Sequence, residues 1–155
     1  MSASLTTRDI SVYLIEDIYI SSYANFIEEG LQVLHSKTKD LLSFHALLES
    51  CTKGSTSFFL VQDRTTHENV GFFCVSVYID KGDVELHISA AYAVKNLRAT
   101  ILAKGLQIVE EFGIMVQAKK ITFSSPRRGS LKFGEYLGFD LISNSGGNYH
   151  YSKRV

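Results

Sequence analysis

Hydrophobic positions recur along this chain with the periods of strands and helices, and they predict an ordered series of elements. Residues 10–15 are apolar and β-branched, which predicts a first strand. In residues 16–34 apolar side chains recur at spacings of three and four, which predicts an amphipathic helix broken near Gly30. The same spacing in residues 38–49 predicts a second helix that ends before Gly54.

The middle of the chain predicts three strands followed by a long helix. Residues 57–62 and 70–79 are rich in Phe and Val, and the polar segment between them predicts an antiparallel hairpin. A tight turn then leads into a strand at 84–88. Apolar positions in residues 97–112 predict the long helix, which Gly113 would close as a C-cap. A glycine within that helix, at position 105, would let it lie close to a sheet.

The last part of the chain predicts a strand, a short helix and a hairpin. Residues 120–124 read as a short strand, and residues 127–137 as a helix that stops at Gly138. Residues 139–143 and 148–152 flank the sequence Asn-Ser-Gly-Gly, a strong hairpin signal.

The resulting order, β-α-α-β-β-β-α-β-α-β-β, predicts the α/β (α+β) class with a mixed central sheet flanked by helices. A length of 155 residues suits a single domain spanning positions 1–155. Hydrophobic residues make up 45% of the chain and charged residues 21%, which is typical of a soluble globular protein.

Charge and cysteine content exclude several classes of function. Sixteen basic residues balance sixteen acidic ones, so neither nucleic acid nor an anionic membrane is expected as a partner. Cys51 and Cys74 are expected to be buried free thiols, and the five scattered histidines give no metal-ligand spacing, so no metal is expected. The chain has neither a signal-peptide core nor an apolar run long enough to span a bilayer, which predicts a cytoplasmic location.

The segment from Glu85 to Phe139 runs strand, loop, long helix, strand and short helix, and its residues 133–139 read Phe-Gly-Glu-Tyr-Leu-Gly-Phe. This order, with its terminal Leu-Gly-Phe, resembles the acetyl-CoA-binding half of the GNAT N-acetyltransferase superfamily. The resemblance covers almost the whole chain. It implies that the strands at 84–88 and 121–123 splay apart around the pantetheine arm of acetyl-CoA, the implied cofactor.

The resemblance also implies a cofactor loop, and this chain departs from its usual pattern. In the family, glycine-rich backbone at a helix N-terminus cups the pyrophosphate. Here the two glycine positions hold Asn96 and Arg98, and the Arg98 side chain would stand where the diphosphate approaches. Lys95 and Arg98 would still attract phosphate through charge. The implied cofactor-binding residues are Ser89, Ala90, Lys95, Asn96, Leu97, Arg98 and Ala99.

Acid–base residues are the second departure from the family. Gly134 occupies the position of the tyrosine that protonates the departing thiolate, and Tyr136 lies roughly 200° further around the helix. Glu85 is the candidate catalytic base, and His87 shares its face of the strand, although a half-exposed strand gives the same polar–apolar alternation. The serines at 124, 125 and 130 lack a Gly-x-Ser-x-Gly context, which argues against a serine hydrolase.

Two functional interpretations follow from the resemblance. The first is an N-acetyltransferase that transfers acetyl directly from acetyl-CoA to an unknown amine, with water or a substrate group as the proton donor. The second is an inactive GNAT-fold structural or interaction protein with a protein partner. In its replaced glycines the chain is similar to degenerate GNAT-like proteins of tailed phages, which would place it in the virion or among internal head components. A homo-oligomer or a larger assembly is compatible with both.

Overall fold

The computed structural model describes residues 9–35, 43–94 and 97–155, with only the backbone of His35. The strands are β1 (Ile10–Ile15), β2 (Thr56–Asp63), β3 (Asn69–Asp80), β4 (Asp83–Ala93), β5 (Ala118–Ser125), β6 (Asp140–Ser145) and β7 (Asn148–Arg154). The helices are α1 (Asp17–Ile20), α2 (Ala24–His35), α3 (Phe44–Thr52), α4 (Arg98–Met115) and α5 (Ser130–Tyr136). The predicted order of elements and the mixed α/β class are confirmed.

A seven-stranded sheet, in the order β1-β2-β3-β4-β5-β7-β6, organises the described residues. Neighbouring strands pair antiparallel except β4 and β5, which are parallel and joined by α4 as a crossover. The two predicted hairpins, β2–β3 and β6–β7, are confirmed, and so is the predicted tight turn between β3 and β4. Lys81 and Gly82, and likewise Gly146 and Gly147, have positive φ at both central positions, as the two-residue turns favoured between twisted strands require.

The predicted helix at 16–34 exists, but its break is not where the sequence indicated. A 3₁₀ turn at Ser21–Tyr23 separates α1 from α2, and α2 passes through Gly30 without interruption. The prediction of a break near Gly30 is therefore wrong. Gly30 instead lets α2 lie close to the sheet, because a Cβ there would be 2.7 Å from the ring of Tyr92 and would also meet Phe72.

The third helix begins one residue after Ser43, whose hydroxyl oxygen accepts a hydrogen bond from the Ala46 amide at 3.0 Å and so caps α3. Its predicted start at Thr38 lies outside the described residues. The end of α3 at Thr52 agrees with the prediction that this helix stops before Gly54.

Helix α4 confirms one glycine prediction and corrects another. A Cβ at Gly105 would lie 3.1 Å from the Phe73 ring, so this glycine does let the helix approach the sheet. The prediction that Gly113 caps the helix is wrong, because α4 continues to Met115. Gly113 instead packs against Val155, and the left-handed residue after the helix is Gln117, with φ of 59°.

Two hydrophobic clusters cover opposite faces of the sheet. One packs α4 against the sheet and includes Phe59, Phe73, Leu86, Ile101, Val109, Ile121 and Tyr151. The other lies under α1, α2 and α3 and includes Ile20, Ile27, Leu47, Phe58, Leu60, Phe72 and Cys74. Both cysteines are free and buried, as expected. None of the described helices combines the length and apolar character needed to cross a bilayer.

Candidate functional site

Strands β4 and β5 pair for only part of their length and then separate. Their register joins Val84 with Ala118 and ends where His87 faces Thr122. Beyond that point β4 continues to Ala93 and β5 to Ser125. The backbone edges of the two strands therefore face an opening, with main-chain groups available on both sides.

A β-bulge in β4 accompanies this separation. Between β3 and β4, Val75 pairs with Ile88 and Cys74 pairs with Ala90, so Ser89 is the extra residue. Its hydroxyl donates to the Cys74 carbonyl at 3.3 Å. A bulge bends its strand and increases the local twist, so this one turns the end of β4 away from β5.

The opening leads into a cavity of about 500 Å³, which is within the size range of small-molecule and cofactor sites. Most of its wall is apolar, contributed by β4, β5, α4 and α5, including Ile88, Ala91, Ile101, Leu106, Phe123 and Phe133. Its polar groups are fewer: Ser89, Arg98, Ser124, Ser125, Arg127, Ser130 and Asn148. An apolar wall with a few polar groups suits a ligand that has both an apolar arm and a polar end.

The charge of this cavity is positive. Arg98 stands on the first turn of α4 and Arg127 lies just before α5, and both line the cavity. None of the described lining residues is Asp or Glu. Leu97, the residue preceding α4, provides no side-chain cap, and the first turn of the helix contains no acidic residue. Two guanidinium groups beside the positive end of a helix dipole favour an anionic ligand.

The residues predicted to bind a cofactor divide into three groups. Ser89, Ala90 and Arg98 line the cavity. Leu97 and Ala99 lie beside Arg98 at the start of α4 but are not among the described lining residues. Lys95 and Asn96 lie outside the described residues.

Arg98 and Tyr92 line the cavity and do not fill it. Tyr92 lies beneath α2, where its ring contacts those of Phe26 and Phe72 at centroid distances of 5.8 and 5.6 Å. Burial and nearby Glu29 raise the pKa of the Tyr92 phenol, against an opposing effect of Arg98. The aromatic packing under α2 therefore holds the Tyr92 ring at the wall of the cavity.

Glu85 and His87 share one face of β4 but differ in their surroundings. Glu85 forms an ion pair with Lys120 at 3.1 Å within the paired part of the strands, and it is not among the described lining residues. His87 is likewise not among the described lining residues, but it is the last residue of β4 that pairs with β5 and directly precedes Ile88, which lines the cavity. Its Nδ1 lies 2.9 Å from Thr122 Oγ1. Burial, and to a lesser degree repulsion from the protonated form of His150, lower the pKa of the His87 imidazole, so it is neutral near pH 7.

The hydroxyl of Thr122 lies between two neighbours. Its Oγ1 is 2.9 Å from His87 Nδ1 and 3.5 Å from the Leu86 carbonyl oxygen. In the His87 tautomer that carries its proton on Nδ1, Nδ1 donates to Thr122 Oγ1 and the Thr122 hydroxyl donates to Leu86. Nε2 then has a free lone pair, as a proton acceptor must have.

Comparison of this fold with solved structures identifies it. The chain has the GNAT fold. An Arabidopsis thaliana NAA60 in complex with acetyl-CoA superposes with a TM-score of 0.74 at 10% identity, covering 94% of this chain and 98% of that one. The ribosomal-protein-S5-alanine acetyltransferase of Vibrio fischeri gives a TM-score of 0.71 at 17% identity, covering 99% and 97%.

A GNAT-family acetyltransferase from Listeria monocytogenes gives a TM-score of 0.68 at 13% identity, covering 94% of this chain and 95% of that one. No family model matches the sequence, and no curated protein matches it. At these identities the likeness shows the fold alone, because one fold can carry many different chemistries.

Within this GNAT fold, Gly134 has a packing reason. A Cβ at position 134 would lie 2.5 Å from Cε1 and 2.8 Å from Cδ1 of Tyr151. The Tyr151 ring stacks on Phe123 at a centroid distance of 4.4 Å, and its hydroxyl lies 2.7 Å from Ser130 Oγ. Tyr151 on β7 therefore occupies the space that a side chain from α5 would need.

Two hydrogen-bonded side-chain pairs at the cavity, each containing a serine hydroxyl, were not predicted from the sequence. Ser130 and Ser124 both line the cavity. The hydroxyl of Ser130 is hydrogen-bonded to that of Tyr151, and the hydroxyl of Ser124 is hydrogen-bonded to His150 Nδ1 at 2.7 Å. Both pairs join residues at least twenty positions apart across β5, α5 and β7. The register between β5 and β7 brings Ser124 to His150, and the packing of α5 over β7 brings Ser130 to Tyr151. No sequence motif reports either.

Proposed function

We propose that this protein is an N-acetyltransferase-like enzyme that transfers an acetyl group from acetyl-CoA directly to an amine. The observation that carries the proposal is the open cavity between the diverging ends of β4 and β5, apolar along its walls and positive through Arg98 and Arg127. The acetyl-CoA complex among the fold neighbours supports the same ligand class.

Each part of acetyl-CoA has a complementary surface in the cavity. The amides of the pantetheine arm would pair with the free backbone edge of β4 at residues 88–93, as an added strand pairs with a sheet edge. The phosphates would lie against Arg98 and Arg127, so that charge replaces the glycine-rich cradle. Ser89, Ala90, Leu97 and Ala99, together with Lys95 and Asn96, complete the proposed cofactor set.

We assign proton removal to His87. Transfer requires an amine nitrogen without its proton, placed against the thioester carbonyl carbon. His87 is half-buried, is neutral near pH 7 and lies where the strands separate; in its Nδ1–H tautomer, Nε2 is the basic nitrogen. Glu85, the candidate from the sequence, is held by Lys120 and would support the site through its charge rather than accept the proton.

The departing thiolate needs a proton, and Ser130 is positioned to supply it. Its hydroxyl lines the cavity and is hydrogen-bonded to that of Tyr151 at 2.7 Å. The amine nitrogen forms a bond to the carbonyl carbon as His87 takes its proton, and the carbon–sulfur bond breaks. The sulfur takes a proton from Ser130, whose hydroxyl is held by its hydrogen bond with Tyr151. Ser130 then regains a proton from water, and His87 releases its proton to water. This pair replaces the tyrosine that Gly134 excludes.

Calorimetric titration with acetyl-CoA tests the binding part of this proposal. Arg98→Ala should weaken binding by about 10- to 100-fold, because it removes a charge-assisted hydrogen bond worth about 1.5–3 kcal/mol. Arg128→Ala is the matched control, since Arg128 is exposed and is not among the described lining residues. If Arg98 instead obstructs the diphosphate, as its sequence position suggested, Arg98→Ala should tighten binding.

The second candidate is the same fold kept without transfer, as a structural or interaction protein of the kind found in phage virions. The replaced glycine and tyrosine positions favour it, because Arg98 and Gly134 both depart from the family pattern. Wild-type protein that releases no heat with millimolar acetyl-CoA would support this candidate over the enzyme.

A further inference from the structure

Strands β5 and β7 place a serine and a histidine opposite one another at the cavity. Ser124 and His150 are register partners in this antiparallel pair. Ser124 Oγ lies 2.7 Å from His150 Nδ1, and His150 Nε2 lies 3.4 Å from the backbone carbonyl of Ser145 on β6. The imidazole is therefore held between a hydroxyl on one side and a carbonyl on the other.

The carbonyl fixes which nitrogen carries the proton. A carbonyl oxygen can only accept, so His150 donates from Nε2–H to Ser145. Nδ1 is then unprotonated and accepts the hydrogen bond from the Ser124 hydroxyl. A hydroxyl nucleophile bonded to an imidazole base, itself oriented by a third group, is the arrangement that activates serine for covalent chemistry.

Ser124 is also accessible to a ligand. It is exposed, and it lines the cavity beyond Thr122, where β5 has separated from β4. Beyond His87 the backbone of β4 does not pair with β5, and its amides would be the donors for a developing oxyanion.

We propose that Ser124 and His150 form a nucleophile–base dyad that accepts an acyl group as an ester on Ser124 Oγ. Ser124 oxygen bonds to the acyl carbon while His150 Nδ1 takes the hydroxyl proton. The bond to the leaving group then breaks, and the leaving thiolate or alkoxide takes that proton from His150. Water, activated in the same way, attacks the ester and restores the hydroxyl. The protein would thus have an acyl-ester hydrolase activity beside amine transfer.

Only the use of a thioester as donor rests on the proposed function. An activated ester such as p-nitrophenyl acetate needs no CoA-binding surface, so it probes the dyad separately. The alternative role for the same hydrogen bond is to fasten the β6–β7 hairpin to β5. A fastening bond forms no covalent adduct, and the experiment therefore looks for the adduct.

The experiment incubates the purified protein with p-nitrophenyl acetate, and separately with acetyl-CoA, and then applies intact mass measurement and peptide mapping. We expect one acetyl group on Ser124 and a burst of nitrophenolate. Ser124→Ala should abolish both, and His150→Gln should slow acylation by about 100-fold or more, the usual contribution of a general base. Ser152→Ala, a serine on β7 that pairs with Thr122, should leave acylation unchanged.

Three outcomes distinguish the two proposals. If acetyl-CoA binds but neither donor acylates Ser124, the dyad is refuted, whereas the binding part of the proposed transferase function is supported. If the ester acylates Ser124 while acetyl-CoA neither binds nor reacts, the dyad is supported and the transferase fails. Acetylation that persists equally in Ser124→Ala, on another side chain, refutes the dyad.

Discussion

The most direct structural prediction concerns Gly134, where this chain lacks the side chain that the GNAT pattern carries. Gly134→Ala adds a single methyl group, whose carbon would lie 2.5 Å from the Tyr151 ring. Tyr151 is only 2% exposed and stacks on Phe123, so the ring has little room to move. The substitution should therefore disturb the packing between α5 and β7.

The expected cost is the balance of three effects. Overpacking a well-filled core costs about 1–3 kcal/mol. Displacing Tyr151 also weakens its hydrogen bond with Ser130, which is worth about 1 kcal/mol. Alanine gains about 1 kcal/mol over glycine in a helix. The net loss is about 1–3 kcal/mol, which corresponds to a fall in Tm of about 2–12 °C for a chain of this length.

Denaturant unfolding of matched glycine variants measures this cost. Gly129→Ala is the control, because its backbone is already helical, with φ of −59°, and a Cβ there meets nothing within 4 Å. The Tyr151→Leu background should reduce the cost of Gly134→Ala, since the ring that causes the clash is gone. Equal stability of the Gly134→Ala and Gly129→Ala proteins would refute the packing explanation.

The remaining predictions address the base, the proton donor and the thiols. His87→Gln should lower kcat for acetyl transfer by about 100-fold or more with little change in KM for acetyl-CoA; an unchanged kcat would exclude His87 as the base. Because burial lowers the His87 pKa below 6.5, the acid limb of the wild-type pH–rate profile should lie below pH 6.5. Stability should also fall below that pH, since the unfolded chain takes up the proton before the folded one, and His87→Gln should flatten this dependence. Tyr151→Phe should lower kcat and leave acetyl-CoA affinity unchanged in calorimetry; weaker binding would point to a packing role alone. Burial raises the pKa of Cys51 to about 11 and that of Cys74 well above its usual value, so neither thiol should react with Ellman's reagent at pH 8 before unfolding.

The order of elements was predictable because hydrophobic period and turn residues are local signals. Glycines were harder to interpret, since the sequence does not show what packs against them. Gly30 was interpreted as a helix break and Gly113 as a C-cap, although both allow neighbouring groups to approach a continuing helix. The hairpin glycines were identified correctly, because positive φ at both turn positions is a local requirement.

The candidate site was predictable only where it depends on local order. The separation of β4 from β5 followed from the resemblance, and Ser89, Ala90 and Arg98 do line the resulting cavity. The hydroxyl pairs of Ser124 and Ser130 were not predictable, because they depend on the register of β7 against β5 and on α5 packing over β7. Pairing over such separations is a tertiary property.

Amide chemical-shift mapping with acetyl-CoA tests the central claim most directly, because it reports both whether the ligand binds and where. The proposal predicts saturable shifts concentrated in residues 88–93 of β4, in the first turn of α4 and at residues 123–125 of β5. Residues of β1 and β6, at the two edges of the sheet, serve as internal controls and should not shift. An absence of shifts at millimolar acetyl-CoA, or shifts confined to those edges, would contradict the assignment of this cavity as the acetyl-CoA site.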